Sequence, residues 1–495
     1  MIQVDPGKCI GCGLCMVDCP LQAIEMTSKK AVIKEQCSSC GICVRVCKLG
    51  ALAKEPSPEA MVCSSCPIQC QIPVGFTGAC KRYTNEDSKL VRNRAIEVRN
   101  QLVEADEYAG LPPLITAVGA GTSYPCSRTA PLIVQDEVNG VDVVTVVTEA
   151  PLSYSGLKVK VNTDSNLGVE GAKIQRDGQV VGIVETEEYG CKMLSIGGAN
   201  LLTGKTGFVV ARTIVDLANG EAVELSFENK TDAILQAGRA PVINGKTDEI
   251  MRVGCGSATI GLFARDLRGV VDEAIVLDHH VVGLFSEHLA GREVGMTWSG
   301  VIPNARKSTE GRYFGEHGNG WGGTDITEPR KAIEDLDRAV VKQGLTILVT
   351  ETTGRKASMF EIQPDWSVKE IPIPPSVQAV LDKIQRTCEE SKVSVFYTGG
   401  IGGSARAGVT NEPLALSRAV HAGKVHLTIG GVPAYVWPGG GINFIVDAEK
   451  VTSDAFSWVP TPATVAPIEY TMTRSEYEAL GGHMDEIKLL SEVFG

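Results

Sequence analysis

The stretch "CIGCGLCMVDCP", residues 9–20, contains four cysteines in the spacing C-x2-C-x2-C-x3-C, followed by a proline. Bacterial ferredoxins use this spacing to hold a 4Fe-4S cluster through cysteine thiolates. The stretch "CSSCGICVRVCK", residues 37–48, repeats the spacing with Lys48 in place of the proline. The two stretches therefore predict an N-terminal bacterial-type ferredoxin-like domain with two 4Fe-4S clusters over residues 1–58.

In such repeats the fourth cysteine of each run ligates the other cluster. The predicted ligand sets are Cys9, Cys12, Cys15 and Cys47 for one cluster, and Cys37, Cys40, Cys43 and Cys19 for the other. The alternatives are zinc sites, or clusters that carry no electrons. Zinc sites usually show two CxxC pairs rather than three cysteines plus one, so the spacing favours redox-active iron-sulfur clusters.

Four more cysteines follow this domain: Cys63, Cys66, Cys70 and Cys80. Their spacing differs from the C-x3-C-x2-C of radical-SAM enzymes, since no third thiol stands at the required place. Two interpretations remain, a third iron-sulfur cluster or a structural zinc site. We favour the cluster, because a relay places its last centre beside the chemistry. Residues 59–106 are then a Cys-rich connector, ending in an amphipathic helix predicted from Glu86.

Composition excludes several function classes. The chain has 495 residues and a net charge of −12, with a sequence pI near 5.3. It shows no basic stripe interleaved with aromatic residues, which argues against nucleic-acid binding. No run approaches eighteen uncharged apolar residues, so we expect no membrane span. The N-terminus has neither a basic nor an apolar export region, and the expected compartment is the cytoplasm.

Residues 107–495 are predicted to form the catalytic body of an α+β multidomain protein. From 107 to 326 β-branched runs and the turn pairs Asn139-Gly140 and Asp177-Gly178 predict an antiparallel, strand-rich part. From 327 to 495 helices and strands alternate, which predicts an α/β part with partly parallel strands. Its first helix is predicted to begin after Thr327 and to end at Gly344.

Two glycine-rich segments of the body are candidate site loops: "GRYFGEHGNGWGGT", residues 311–324, and "GGIGGSARAG", residues 399–408. In the first, Arg312, His317 and Asn319 could surround a planar ring or cofactor, with His317 as proton donor. The alternative is a glycine-rich surface loop whose histidine makes ordinary hydrogen bonds and has no catalytic role. His279 and His280 follow an apolar strand, and one of the two is expected to point inward.

In the second segment, glycines let backbone amides approach a bound group closely. The predicted cofactor-binding glycines are Gly399, Gly400, Gly402 and Gly403. Arg406 could hold a carboxylate through its planar fork; the alternative is a tight turn with a solvated arginine. The sequence contains no Rossmann GxGxxG between a strand and a helix with an acidic residue at the right distance, and no Walker A motif. Electrons are therefore expected to arrive singly from a protein donor.

Together, the doubled ferredoxin motif, "CSSCPIQC", "GRYFGEHGNGWGGT" and "GGIGGSARAGV" resemble the 6-hydroxynicotinate reductase family over nearly the whole chain. The resemblance implies reduced ferredoxin as electron donor and conversion of 6-hydroxynicotinate to 1,4,5,6-tetrahydro-6-oxonicotinate in anaerobic nicotinate breakdown. It also implies iron-sulfur clusters, a covalent flavin and a homotetramer. The competing hypothesis is a non-catalytic electron-transfer subunit that docks onto a separate catalytic partner.

Overall fold

The computed structural model describes residues 1–63, 68–93, 130, 132–188, 191–459 and 463–494. Cys66 and residues 94–106 of the predicted connector helix lie outside these ranges. The described residues form four structural units, which we call the head, the cysteine loop, the barrel and the inserted sheet.

The head is built from two similar halves, as the repeated cysteine motif predicts. Its first and last strands pair with each other in antiparallel fashion, and the two middle strands form a hairpin. A short helix lies in each half, preceded by a glycine with a left-handed backbone, Gly13 or Gly41. The strands are Ile2–Val4, Ile24–Thr27, Lys30–Ile33 and Leu52–Lys54, and the helices are Leu14–Val17 and Ile42–Val46.

The cysteine loop contains two small antiparallel hairpins. The first pairs Met61–Val62 with Gln71–Ile72, and the second pairs Tyr83–Glu86 with Lys89–Arg92. The second hairpin shows that the predicted helix start at Glu86 is wrong. Asp87 and Ser88 both have positive φ, 47° and 64°, as a tight hairpin turn requires, so the turn outweighs the helical pattern here.

The barrel is organised around one long strand, Val141–Asn162, which bends near Tyr154 and takes part in two halves of a closed sheet. Before the bend it pairs with Leu132–Val138 and Ala463–Thr473, and after it with Cys191–Gly197 and Val393–Ile401, always antiparallel. The predicted turns at Asn139-Gly140 and Asp177-Gly178 are confirmed.

The remaining barrel elements complete the sheet and cover its core. The strands are Lys173–Arg176, Gln179–Glu188, Val223–Phe227, Asp232–Leu235, Val242–Ile243, Lys246–Thr247, His426–Ile429, Val432–Pro433, Tyr435–Val436, Ile442–Asp447, Ser457–Val459 and Lys488–Leu489. The helices are Ala199–Leu202, Gly207–Ala218, Gly403–Ala407, Pro413–His421, Arg474–Ala479 and Leu490–Phe494. Strands from both predicted parts of the body therefore pair in one sheet, and residue 326 does not divide two sheets.

The inserted sheet interrupts the barrel between residues 250 and 390. Its order is Arg306–Thr309, Arg312–Phe314, Val282–Leu284, Glu273–Leu277, Thr346–Glu351, Ala357–Ile362 and Val368–Ile371. Small pairs join Ile250–Met251 to Glu389–Glu390 and Val301–Pro303 to Ile333–Leu336. The helices are Gly256–Leu267, Leu289–Glu293 and Pro375–Arg386. Glu273–Leu277 and Thr346–Glu351 run parallel, so the expectation of partly parallel strands is met by Thr346–Glu351, whose partner comes from the part predicted to be antiparallel. The strands Val393–Ile401 and His426–Ile429 pair antiparallel with their neighbouring strands.

The predicted helix from Thr327 to Gly344 is wrong. Pro329–Ala332 forms a single 3-10 turn, and the chain then continues as the strand Ile333–Leu336. This strand pairs with Val301–Pro303, and Ile333 is buried in the core of the inserted sheet. Tertiary pairing therefore outweighs local helical preference. Later expectations hold, with helices at Pro375–Arg386 and Pro413–His421 and strands at Val393–Ile401 and His426–Ile429.

The head is docked on the barrel through apolar and polar contacts. Ile42 of the head is only 1% exposed and packs in the barrel core; complete burial of an isoleucine stabilises a fold by about 1.5–3 kcal/mol. Arg212, on a barrel helix, donates a hydrogen bond to the Val17 carbonyl at 2.7 Å. None of the helices in the described ranges combines the length and apolarity needed to cross a lipid bilayer.

Candidate functional site

The first cysteine set comes together as the crossed pattern predicts. The Cys15 thiol interacts electrostatically with Cys12, Cys9 and Cys47. Its pKa is raised, chiefly by burial and then by these neighbouring thiols. Cys47 thus lies with the first run of cysteines although it belongs to the second in sequence. Cys12 is exposed at the surface of the head.

The second set is arranged in the same way. The Cys43 thiol interacts with Cys37, Cys19 and Cys15, and burial, followed by these thiols, raises its pKa to about 12. Burial likewise raises the pKa of Cys40 to about 12, with Cys43 and Cys19 adding to the effect. Cys19 therefore stands with the second run, and the Cys15–Cys43 interaction connects the two sets.

The surroundings of these thiols fit iron-sulfur clusters. Backbone amides of Ala23 and Ala51 donate to the Cys19 and Cys47 sulfurs at 3.2 and 3.3 Å, and such hydrogen bonds stabilise cluster thiolates. Buried thiolates repel each other because all of them are negatively charged, and bound iron offsets that charge. Within the described ranges no three His, Cys, Asp or Glu side chains are arranged to hold a single metal ion. A cubane cluster has a different requirement, because each of its four thiolates binds a separate iron.

The cysteine loop packs against the second cysteine set. Cys63 and Cys70 are each 6% exposed, and Cys40 packs against the small apolar cluster to which they belong. The Gln71 amide donates to the Ser38 carbonyl at 2.9 Å, which fixes the loop beside the Cys37–Cys43 run. The thiols therefore follow one another from the exposed Cys12, through the electrostatic interaction of Cys15 with Cys43, to the cysteine loop.

Cys80 lies at the other side of the loop, where it meets the barrel. Arg82 donates a hydrogen bond to the Cys80 sulfur and forms a buried ion pair with Glu149 on the long barrel strand. Burial alone would lower the pKa of Arg82, but the charges of Glu149 and Cys80 outweigh burial and raise it. Cys80, Arg82 and Glu149 all line a cavity of about 290 Å³ between loop and barrel.

The glycine-rich segment 311–324 places its own His317 in a group with two further histidines, His279 and His280. The ring centroids of His279 and His280 are 3.7 Å apart, and those of His279 and His317 are 4.3 Å apart in a stacked arrangement. His279 is buried and His280 is half-buried. A Cβ added at Gly323 would lie 2.6 Å from His279 Nδ1, so this glycine permits the close packing.

An arginine and two aspartates adjoin this group. Arg252 is fully enclosed, with its guanidinium 2.9 Å from Asp164 and 3.3 Å from Asp278. Burial raises the pKa of Asp278, and the charge of Arg252 opposes that shift. Asn319 Oδ1 accepts a hydrogen bond from the Asn166 amide at 3.3 Å. Asp164 and Asn166 follow the long barrel strand, so these polar contacts join the barrel to the inserted sheet.

The two predicted catalytic arginines, Arg312 and Arg406, lie elsewhere. Arg312 has an exposed side chain on the strand next to the edge strand of the inserted sheet, where its charge lowers the pKa of His288 after the larger effect of burial. Arg406 lies on a barrel helix and donates to the Pro413 carbonyl at 3.2 Å and to the Ser417 hydroxyl. The predicted catalytic residues thus occupy three environments rather than one.

The four predicted cofactor glycines fall into two pairs. Gly399 and Gly400 are buried in the strand Val393–Ile401, where an added Cβ would meet Phe444 at 3.1 Å and Asn443 Oδ1 at 2.8 Å. Neighbouring side chains therefore fill the space beside this pair. Gly402 and Gly403 begin the short helix, and the nearest atoms to an added Cβ are 3.8 Å away, so the surroundings of that pair are less crowded.

The sequence prediction missed Arg82 and Glu149. Glu149 stands in the apolar run "VDVVTVVTEA", and a carboxylate in such a strand is a signal for a buried partner. Arg82 follows Cys80 by two residues, which places a cation beside a thiol. Neither signal identifies the other residue, because 67 positions separate them.

Comparisons with known proteins agree with a cluster-binding role for the cysteines of the head, and one of them also covers the body. Residues 2–25 match the family model described as a 4Fe-4S binding domain. The chain is 56% identical over 499 residues to a 6-hydroxynicotinate reductase from Eubacterium barkeri, an alignment that covers 99% of this chain and 100% of that protein. No solved structure matches the chain. The chain therefore belongs to the 6-hydroxynicotinate reductase family of oxidoreductases.

Proposed function

We propose that the chain uses electrons from reduced ferredoxin to reduce 6-hydroxynicotinate to 1,4,5,6-tetrahydro-6-oxonicotinate. The observation that carries this proposal is the 56% identity to the Eubacterium barkeri reductase across 99% of the chain, since it includes the body as well as the generic ferredoxin motif. Reducing one ring double bond consumes two electrons and two protons. Two reduced ferredoxins supply the electrons one at a time, and water supplies the protons.

The proposed electron path follows the order of the thiols. Electrons enter near the exposed Cys12 and pass from the first cysteine set to the second through the neighbouring Cys15 and Cys43. They continue from Cys40 to the cysteine loop, which we propose holds a third iron-sulfur cluster through Cys63, Cys66, Cys70 and Cys80. Cys40 packs against the small apolar core that contains Cys63 and Cys70, and this contact supports the proposed order.

A bound flavin would collect two single electrons for the ring, and Gly402 and Gly403 are the predicted glycines whose surroundings are less crowded. The proposal does not depend on His317, Arg312, Asn319 or Arg406, which remain predictions. We also propose a homotetramer, which a sedimentation experiment can test.

The test is an anaerobic assay with the isolated chain, reduced ferredoxin and 6-hydroxynicotinate. We expect two ferredoxins to be oxidised for each tetrahydro product formed, and flavin absorbance in the purified protein. The competing hypothesis of a non-catalytic electron-transfer subunit predicts cluster reduction by ferredoxin without product. That result, together with the absence of flavin, would refute the proposed function.

A further inference from the structure

The cavity beside Cys80 is one part of a larger cleft between the cysteine loop, the head and the barrel. A second cavity of about 540 Å³ extends from it to Cys19 of the head. The two cavities share the lining residues Lys81, Asp216, Glu221 and Trp458. Ligand pockets commonly have volumes of about 300 to 1,000 Å³. The cleft is therefore large enough for a small ring, and cysteines of two predicted clusters reach it.

The cations of the cleft differ in their availability to a ligand. Arg82 is paired with Glu149, Arg176 with Asp216 at 2.6 Å, and Arg212 with Asp177 at 2.8 Å. Lys81 lies between these groups, and its side chain is exposed. In the described ranges its ammonium group makes no ion pair or hydrogen bond. Lys81 is thus a cation of the cleft that a carboxylate can engage without breaking an existing pair.

The cleft also contains a negatively charged side chain and an aromatic surface. Glu221 lines both cavities with an exposed carboxylate, which can accept a hydrogen bond from a ring N–H. Trp458 also lines both cavities and is otherwise buried, packed near Phe208 with ring centroids 6.3 Å apart. An indole held in this way offers a fixed surface to a planar ring.

We propose that this cleft binds the carboxylated lactam ring, with Lys81 at the carboxylate, Glu221 at the ring N–H and Trp458 along the ring. The assignment rests on the proposed function, because that function supplies the ring. It explains why a third set of thiols lies between the head and the barrel: Cys80 brings the last iron-sulfur cluster to the wall of the ring site. Each ring takes up two electrons from two ferredoxins and two protons from water, and the C4=C5 bond is reduced so that CH=CH becomes CH2–CH2.

The experiment is equilibrium binding to the anaerobic, oxidised holoenzyme without an electron donor, so that no turnover occurs. The two probes are 6-hydroxynicotinate and 2-pyridone, which keeps the lactam but lacks the carboxylate. Lys81→Gln should raise the Kd of 6-hydroxynicotinate by about tenfold or more, as expected for loss of a charge-assisted contact. It should change the Kd of 2-pyridone by less than about twofold.

Lys89→Gln is the matched control, because Lys89 is an exposed lysine of the hairpin that follows Lys81 and lines neither cavity. It should leave both Kd values unchanged, and equal iron content in all three proteins verifies folding. Unchanged binding of 6-hydroxynicotinate by Lys81→Gln would overturn the assignment, and so would an equal loss for both probes. If the parent protein reduces the ring while Lys81→Gln binds normally, the site is refuted but the function stands. If the parent protein neither binds nor reduces 6-hydroxynicotinate, the site and the proposed function are both refuted.

Discussion

Arg82 and Glu149 form a buried ion pair that joins the cysteine loop to the longest strand of the barrel. Their side chains are 10% and 3% exposed, and Arg82 also donates to the Cys80 sulfur. Removing one partner of a buried pair leaves the other charge without compensation, which costs about 3–5 kcal/mol. This ion pair therefore holds Cys80 beside the barrel and stabilises the contact between the cysteine loop and the barrel.

The first prediction concerns this pair. Arg82→Gln should lower the midpoint of thermal unfolding by several degrees, because Glu149 then stays buried without its cation. The control is Glu185→Gln, which breaks the half-exposed pair that Glu185 makes with Lys158 on the same long strand; exposed pairs contribute at most about 1 kcal/mol. Equal thermal midpoints for the two variants would show that the buried pair is not needed.

The second prediction concerns the crossed cysteine sets. Cys47→Ser should alter the same electron paramagnetic resonance signal as Cys9→Ser, and Cys19→Ser the same signal as Cys40→Ser. The reason is that the Cys15 thiol interacts with Cys47, whereas Cys40 interacts with Cys19. Spectra of the reduced variants check this grouping. If Cys47→Ser instead altered the signal affected by Cys40→Ser, the crossed assignment would be wrong.

The third prediction is a pH dependence within the inserted sheet. Glu287 accepts hydrogen bonds from Lys307 and the Tyr313 hydroxyl, each at 2.7 Å. Burial alone would raise the pKa of Glu287, but these partners and the Gly311 amide lower it below the usual 4.5. The ionised form is therefore favoured by folding. Its contribution is fully present above about pH 4.5 and is lost as the pH falls through the lowered pKa.

The measurement is amide hydrogen exchange in the strand Arg312–Phe314. Glu287→Gln should lower its local opening free energy by about 1 kcal/mol at pH 6, and the difference from the parent should shrink below pH 4.5. Glu310→Gln, at the exposed pair with Arg292, is the control and should have little effect at either pH. A difference that stayed constant down to pH 3 would contradict the assigned role of Glu287.

The fourth prediction decides between two locations for the ring chemistry. If the ring binds beside Cys80, His317→Asn should keep kcat/KM within about threefold of the parent, because His317 is stacked on His279 in another unit. Steady-state kinetics with reduced ferredoxin provide the measurement. A loss of about a hundredfold in kcat with an unchanged Kd would instead support His317 as the proton donor.

Features with a local cause could be predicted from the sequence. The cysteine spacing predicts which thiols come together, because each run folds as one short loop and helix. The turns at Asn139-Gly140 and Asp177-Gly178 need positive φ at both residues, which these residue types tolerate. Local patterns also locate the helices at Pro375–Arg386 and Pro413–His421.

Features that depend on distant partners could not be predicted in this way. The strand Ile333–Leu336 has a helical pattern, but it pairs with Val301–Pro303, whose residues lie 30 to 35 positions earlier than their partners. The cleft needs Lys81 from the cysteine loop, Glu221 after a barrel helix and Trp458 near the C-terminal end. No local pattern connects these three residues, because the docking of head and loop on the barrel brings them together.

The central claim is that thiolate-bound iron in the head and the cysteine loop carries electrons to the body. Iron, zinc and acid-labile sulfide content per chain of anaerobically purified protein tests it most directly. Two 4Fe-4S clusters require about eight irons, and the account predicts iron and sulfide beyond that number, with no zinc. Colourless, iron-free protein would contradict the whole account, and about eight irons with one zinc would contradict the third cluster.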